Sequence, residues 1–222
     1  MGGKPKGRPV GTASWKGLKR LLVFYVLFFG CSLAHGLTEH VESGPGLDAV
    51  FIVLWAVLAV IFLKSEWDHV SQAFQFHWPK PKVLGQVLLA CLATFLFLKL
   101  YFGLFHYFGW PSVNMSRAFV KAGWPWGAIF AALCLEPGIF EEIAFRGVFQ
   151  TQLARILSQK EALLLQAAMF SILHLSPAIF VSHFVLGLLL GWVRQRTGHV
   201  YFGMVLHMAW NGLVVLQEMA KG

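Results

Sequence analysis

The sequence predicts an all-α, polytopic membrane protein: a bundle of about seven spanning helices with the N-terminus in the cytoplasm. Three observations lead there. Of 222 residues, 57% are hydrophobic and only 13% charged, where a soluble domain is nearer a quarter charged. Apolar residues gather into seven segments of near-spanning length, at 18–37, 47–63, 83–108, 124–156, 161–175, 178–193 and 200–217. With seven spans, thirteen of the 18 Lys and Arg fall in segments facing the cytoplasm and three in segments facing out. That asymmetry sets orientation.

Residues 1–17 are basic and rich in Gly and Pro, and read as a flexible arm. The apolar run after them lacks a small-residue cleavage site, so it is the first span. The arm suits anionic lipid headgroups. The net charge of +8 follows from basic loops, and no nucleic-acid partner is expected. Residues 18–222 form a single transmembrane domain. The first three segments are plain spans. The fourth is too long for one straight span: at ~1.5 Å per residue it reaches about 50 Å, against a ~30 Å hydrocarbon core. Pro137 and Gly138 can kink or break it. It is then one kinked span, or a span plus a re-entrant helix, which makes eight. Eight spans would misplace Arg155, Lys160, Arg194 and Arg196, so seven is preferred. The fifth and sixth segments are short and joined by Leu175–Ala178. Gly187 and Gly191 in the sixth form a small-xxx-small face. Cys31, Cys91 and Cys134 are apolar filler.

Polar groups inside apolar segments are costly and usually functional. The fourth segment carries Glu141, Glu142 and Arg146. Glu142 and Arg146 are four apart and face each other on a helix, which neutralises both. Glu141 lies about 100° around the helix and is less fully neutralised, which suits a general base or acid. His174 ends the fifth segment, with Phe170 one turn earlier on the same face. His207 and Asn211 share one face of the last segment. Counted from the cytoplasmic ends, these groups lie at overlapping depths, roughly 12–21 Å in. Together they supply a hydrolytic site. Glu141 and His174 hold and deprotonate a water, and His207 and Asn211 donate to the oxyanion. His183 reads as a packed or polar-lined position, and the other histidines as span-end residues.

Rival chemistries fit less well. There is no HExxH and no GxSxG. The only aspartates, Asp48 and Asp68, sit at span ends. Zinc on Glu141, His174 and His207 with a water is stereochemically open and stands as the mechanistic rival, though no cofactor is the favoured expectation. A non-enzymatic membrane scaffold or immunity protein of the same fold is a second class. A proton-coupled transporter is a third, disfavoured by the absence of an internal repeat.

Three ordered motifs, Glu141-Glu142-x-x-x-Arg146, Phe170-x-x-x-His174 and His207-x-x-x-Asn211, resemble those of the CAAX protease and bacteriocin-processing (Abi) family. The resemblance covers about residues 124–217, including the stretch from His183 to Asn211. It implies an intramembrane, glutamate-type endopeptidase acting on a membrane-associated or lipid-modified protein or peptide. By position, Glu141 and His174 would activate water, and His207 and Asn211 would form the oxyanion hole. Glu142, Arg146 and Phe170 would orient the site. The chain's length fits a prokaryotic member, in the cytoplasmic membrane.

Overall fold

The computed structural model describes residues 12–38, 45–110 and 114–220, and all regular structure among them is helical. The long helices are α1 (Thr12–Thr38), α2 (Pro45–Val70) and α3 (Pro81–Tyr107). A short α4 (Arg117–Lys121) follows. Then come α5 (residues 126–153), α6 (Gln159–Ile172), α7 (Pro177–Thr197) and α8 (Tyr201–Met219). Each of the seven expected apolar segments is therefore a helix. Residues 1–11 of the expected N-terminal arm lie outside the described residues, and 12–17 open α1.

Four helices are long and apolar enough to cross a membrane by themselves: Gly17–Thr38, Gly46–Phe74, Pro81–Tyr107 and Pro177–Thr197. The other three expected segments do not reach that standard. Helix α6 has 14 residues and is only about 21 Å long. Helix α5 carries Glu136, Glu141, Glu142 and Arg146.

Of the kink or break that Pro137–Gly138 left open, no break occurs. Helix α5 runs unbroken from 126 to 153 and absorbs irregularity through two π-helical stretches, Ala131–Leu135 and Glu142–Phe149. Stretches of this kind are rare and gather at functional sites. Pro137 has no N–H, so the Leu133 carbonyl four residues earlier gets no ordinary helical partner. Asn211 of α8 fills the gap, with Nδ2 donating to Leu133 O at 2.8 Å. Gly138 serves packing: a Cβ there would collide with Met208 of α8.

An aromatic ladder links the first two helices to the motif-bearing ones. Phe24 stacks on Phe62 at 4.2 Å between centroids, and Phe62 meets Phe149 edge-on at 4.9 Å. Phe149 and Phe170 each lie 5.3 Å from Phe145. A polar knot around buried Glu66 ties α1, α2 and α5 together at one end. Arg20 Nε of α1 lies 2.9 Å from Glu66 Oε1 of α2, and Gln152 of α5 donates to the other Glu66 oxygen. Helix α6 starts with a capping box, in which Ser158 N–H donates to the Glu161 carboxylate and Glu161 N–H donates to Ser158 Oγ. The turn into α7 places Leu175 at φ 50°, a strained value for a bulky residue, directly after His174.

Helices α6 and α7 touch through the two glycines. A Cβ at Gly187 would sit 3.1 Å from both Cα and Cβ of Ala167, so the backbones approach as the sequence spacing predicts. The glycine carbonyls also accept bonds: Gln166 Nε2 reaches Gly187 O at 2.9 Å, and Gln150 Nε2 reaches Gly191 O at 2.9 Å. Gly187→Leu forces these helices apart. It should lower unfolding stability in detergent by about 1–3 kcal/mol, the usual penalty of overpacking, read as a drop in the thermal midpoint of the purified protein.

Candidate active site

The chemistry-bearing residues meet where α5, α6, α7 and α8 cross. At the centre is a fully buried ion pair: Arg146 Nη1 donates to Glu142 Oε1 at 2.8 Å, and both side chains have no exposed surface. The Arg146 guanidinium lies over the Phe170 ring at 4.4 Å, a cation–π contact. A second Arg146 nitrogen, Nη2, reaches Gly187 O at 3.5 Å. Glu142 Oε1 also lies 3.0 Å from His207 Nδ1. A carboxylate paired with arginine can only accept, so Nδ1 carries the proton and donates. The second Glu142 oxygen lies against Gly203 of α8, where a Cβ would stand 2.7 Å from it. Only glycine at 203 lets α8 pack this close to the carboxylate.

Glu141, the neighbouring carboxylate, is held differently. Its side chain keeps 16% exposure, and its buried Oε2 has no hydrogen-bond partner. That oxygen lies 3.8 Å from His207 Nε2, beyond hydrogen-bond range but close enough for one water to touch both. Glu141 and His174 line the same cavity of about 140 Å³, together with Ser32, Trp55, Phe145, Phe170 and Leu173. His174 Nδ1 donates to Phe170 O at 2.9 Å, since a carbonyl can only accept. In the neutral ring this leaves the Nε2 lone pair free. Phe170 is the hub of the cluster, with its ring 5.0 Å from that of His174 and 6.0 Å from that of His207.

The structure thus brings Glu141, Glu142, Arg146, Phe170, His174 and His207 together. Asn211 lies one turn beyond His207 on α8, with one amide N–H given to Leu133 O and the other available. For the zinc alternative, His207 gives Nδ1–H to Glu142 and keeps Nε2 toward Glu141, an arrangement equally compatible with a ligand; among the described residues no three His, Cys, Asp or Glu side chains are grouped to hold a metal ion.

Four residues at the site were not anticipated from the sequence. His183, read as a packed or polar-lined position, lies against His174 with ring centroids 3.9 Å apart and the planes tilted by 46°, and donates from Nδ1 to Ile179 O at 3.0 Å. Its spacing from His174, nine residues across a turn, gave no periodic signal. Glu136 sits on α5 before Glu141 with a buried, unpartnered Oε1, within coulombic reach of Glu141. It was visible as a third carboxylate in the same apolar run. Ser32 and Trp55 come from helices that carry no motif.

Breaking the central pair from one side should be severe. Arg146→Met leaves Glu142 buried with only His207 beside it, and about 3–5 kcal/mol of stability should be lost. Adding Glu142→Leu should recover much of that loss. Thermal unfolding of both variants in detergent measures the difference.

Residues 122–213 match a family described as type II CAAX prenyl endopeptidase Rce1-like, in agreement with the family that the three motifs resemble. No curated protein and no solved structure matched the chain.

Proposed function

We propose that this chain, whose residues 122–213 belong to the Rce1-like CAAX protease family, is an intramembrane endopeptidase that cuts a membrane-associated or lipid-modified protein or peptide. The family implies a protease. The placement of Glu141 carries the glutamate mechanism: it is a carboxylate without a hydrogen-bond partner on Oε2, in one cavity with His174, beside a neighbouring carboxylate already neutralised by Arg146. All seven long helical segments lie in the bilayer, with the N-terminus in the cytoplasm of a prokaryotic cell.

The step follows from the free lone pairs. A water in the cavity gives one hydrogen bond to Glu141 and one to His174 Nε2, leaving its own lone pair for the substrate carbonyl. As the C–O bond forms, Glu141 takes the proton. With both ring nitrogens protonated, His207 donates to Glu142 through Nδ1 and to the oxyanion through Nε2. The second N–H of Asn211 completes the oxyanion hole. The C–N bond then breaks, and Glu141 returns its proton to the leaving amine. Apolar walls keep bulk water out and strengthen each of these contacts.

Glu141→Ala, His174→Ala and His207→Ala should each abolish cleavage while the proteins still purify folded. Asn211→Ala should lose about 10²–10³ in rate, the usual effect of removing one oxyanion donor. Mass spectrometry of peptide termini in membranes containing wild type or variant provides the readout. Full cleavage by Glu141→Ala would overturn the proposal. Strong chelation of the purified enzyme should leave its rate unchanged. Loss of activity restored by zinc would replace the glutamate mechanism with a metal one.

A further inference from the structure

Helix α3 is the least embedded of the four helices that are long and apolar enough to cross a membrane. Of its 27 residues only Val87 and Leu98 are buried. Two side-chain bonds tie it to α7, one toward each end. Arg196 Nη2 donates to Gln86 Oε1, and the Tyr101 hydroxyl donates to Ala178 O at 3.0 Å. One turn or more beyond Gln86, Leu88, Leu89 and Leu92 are exposed, an apolar wall of the kind that faces acyl chains.

The Gln86 end of this seam is basic. Lys80 caps α3, and Lys82 lies one turn before Gln86 on the same face. Arg196 lies in the last turn of α7. All three are exposed, and none is paired with a carboxylate among the described residues. The sequence explains why. No Asp or Glu occurs between Asp68 and Glu136, or between Glu161 and Glu218, so neither helix carries a counter-ion. Like charges gathered without one repel each other and attract an anion. Aromatic rings lie beside them. The Arg196 guanidinium sits over Trp192 at 5.5 Å. Trp78 is 75% exposed and meets Phe76 and Phe202 edge-on at 5.3 and 6.2 Å. Tryptophan beside a helix end marks the headgroup level of a bilayer. The seam therefore has cations at headgroup depth and an apolar wall next to them.

We propose that the α3–α7 seam binds an anionic phospholipid, with its phosphate held by Lys80, Lys82 and Arg196 and its acyl chains along Leu88, Leu89 and Leu92. The lipid supplies the counter-ion that both helices lack, and it adds a third tie between α3 and α7. A zwitterionic lipid carries its own cation and neutralises the cluster less. A soluble anion meets the charge but leaves the apolar wall uncovered. The proposal needs the helices to lie in a bilayer and is independent of the endopeptidase reading.

The test titrates the full-length chain, purified in detergent, with phosphatidylglycerol, phosphatidylcholine or inorganic phosphate. Native mass spectrometry reads the bound lipid, and thermal unfolding reads its effect. Wild type should retain phosphatidylglycerol in preference to phosphatidylcholine and should unfold at a higher temperature in its presence. Inorganic phosphate should neither raise the midpoint nor displace the lipid. The double variant Lys80→Gln, Lys82→Gln changes only exposed side chains and should bind phosphatidylglycerol about fivefold more weakly for each cation removed. Arg196→Gln should weaken binding too, and also frees Gln86. Lys64→Gln, which removes an exposed cation of α2, should bind as wild type does. Equal retention of the two lipids by wild type would overturn the proposal. So would an equal loss in Lys64→Gln, which would mean diffuse surface attraction only. Displacement of the lipid by inorganic phosphate would overturn the lipid as occupant and leave a free-anion site.

Discussion

The centre of the bundle depends on one interaction, the fully buried ion pair of Glu142 and Arg146. Two charges withdrawn from water are expensive, and their mutual attraction offsets that cost only with good geometry and further partners. Here the partners come from three neighbouring helices. Phe170 of α6 lies under the guanidinium, the Gly187 carbonyl of α7 faces it, and His207 of α8 donates to the carboxylate. The pair thereby fixes how α5, α6, α7 and α8 cross. Glu141, the next residue, inherits its position from that brace without sharing its hydrogen bonds.

Close approach of α8 to α5 is the second constraint, and small or imino residues make it possible. Gly203 leaves room for the Glu142 carboxylate, and Gly138 leaves room for Met208. Pro137 withholds an N–H from Leu133, and Asn211 supplies one. A proline that looks like a helix breaker in isolation becomes a docking point for the neighbouring helix. Asn211 therefore has a structural duty beside the one proposed in catalysis, with one N–H for each.

Much of the architecture was legible in the sequence, because membrane helices announce themselves by composition. The seven apolar segments are all helices, and the i,i+4 spacings placed Glu142 against Arg146 and His207 on the same helix face as Asn211. What was not legible depends on contacts between distant segments. Continuity of α5 through Pro137 rests on π-helical turns and on α8, neither of which has a local signal. His183 faces His174 only because the Leu175–Ala178 turn folds α7 back on α6. Trp55 and Ser32 border the site because an aromatic ladder from Phe24 to Phe170 draws α1 and α2 against α5. Glu136 carries the same local signal as Glu141 and Glu142, a carboxylate in an apolar run.

The central claim is a division of labour between adjacent carboxylates, Glu142 holding the fold and Glu141 doing the chemistry. It is tested most directly by comparing the near-isosteric variants Glu141→Gln and Glu142→Gln for unfolding midpoint and for cleavage of membrane peptides. The account predicts that Glu141→Gln keeps the wild-type midpoint and loses cleavage, whereas Glu142→Gln unfolds at a lower temperature. Wild-type cleavage by Glu141→Gln, or a midpoint unchanged in Glu142→Gln, would contradict it.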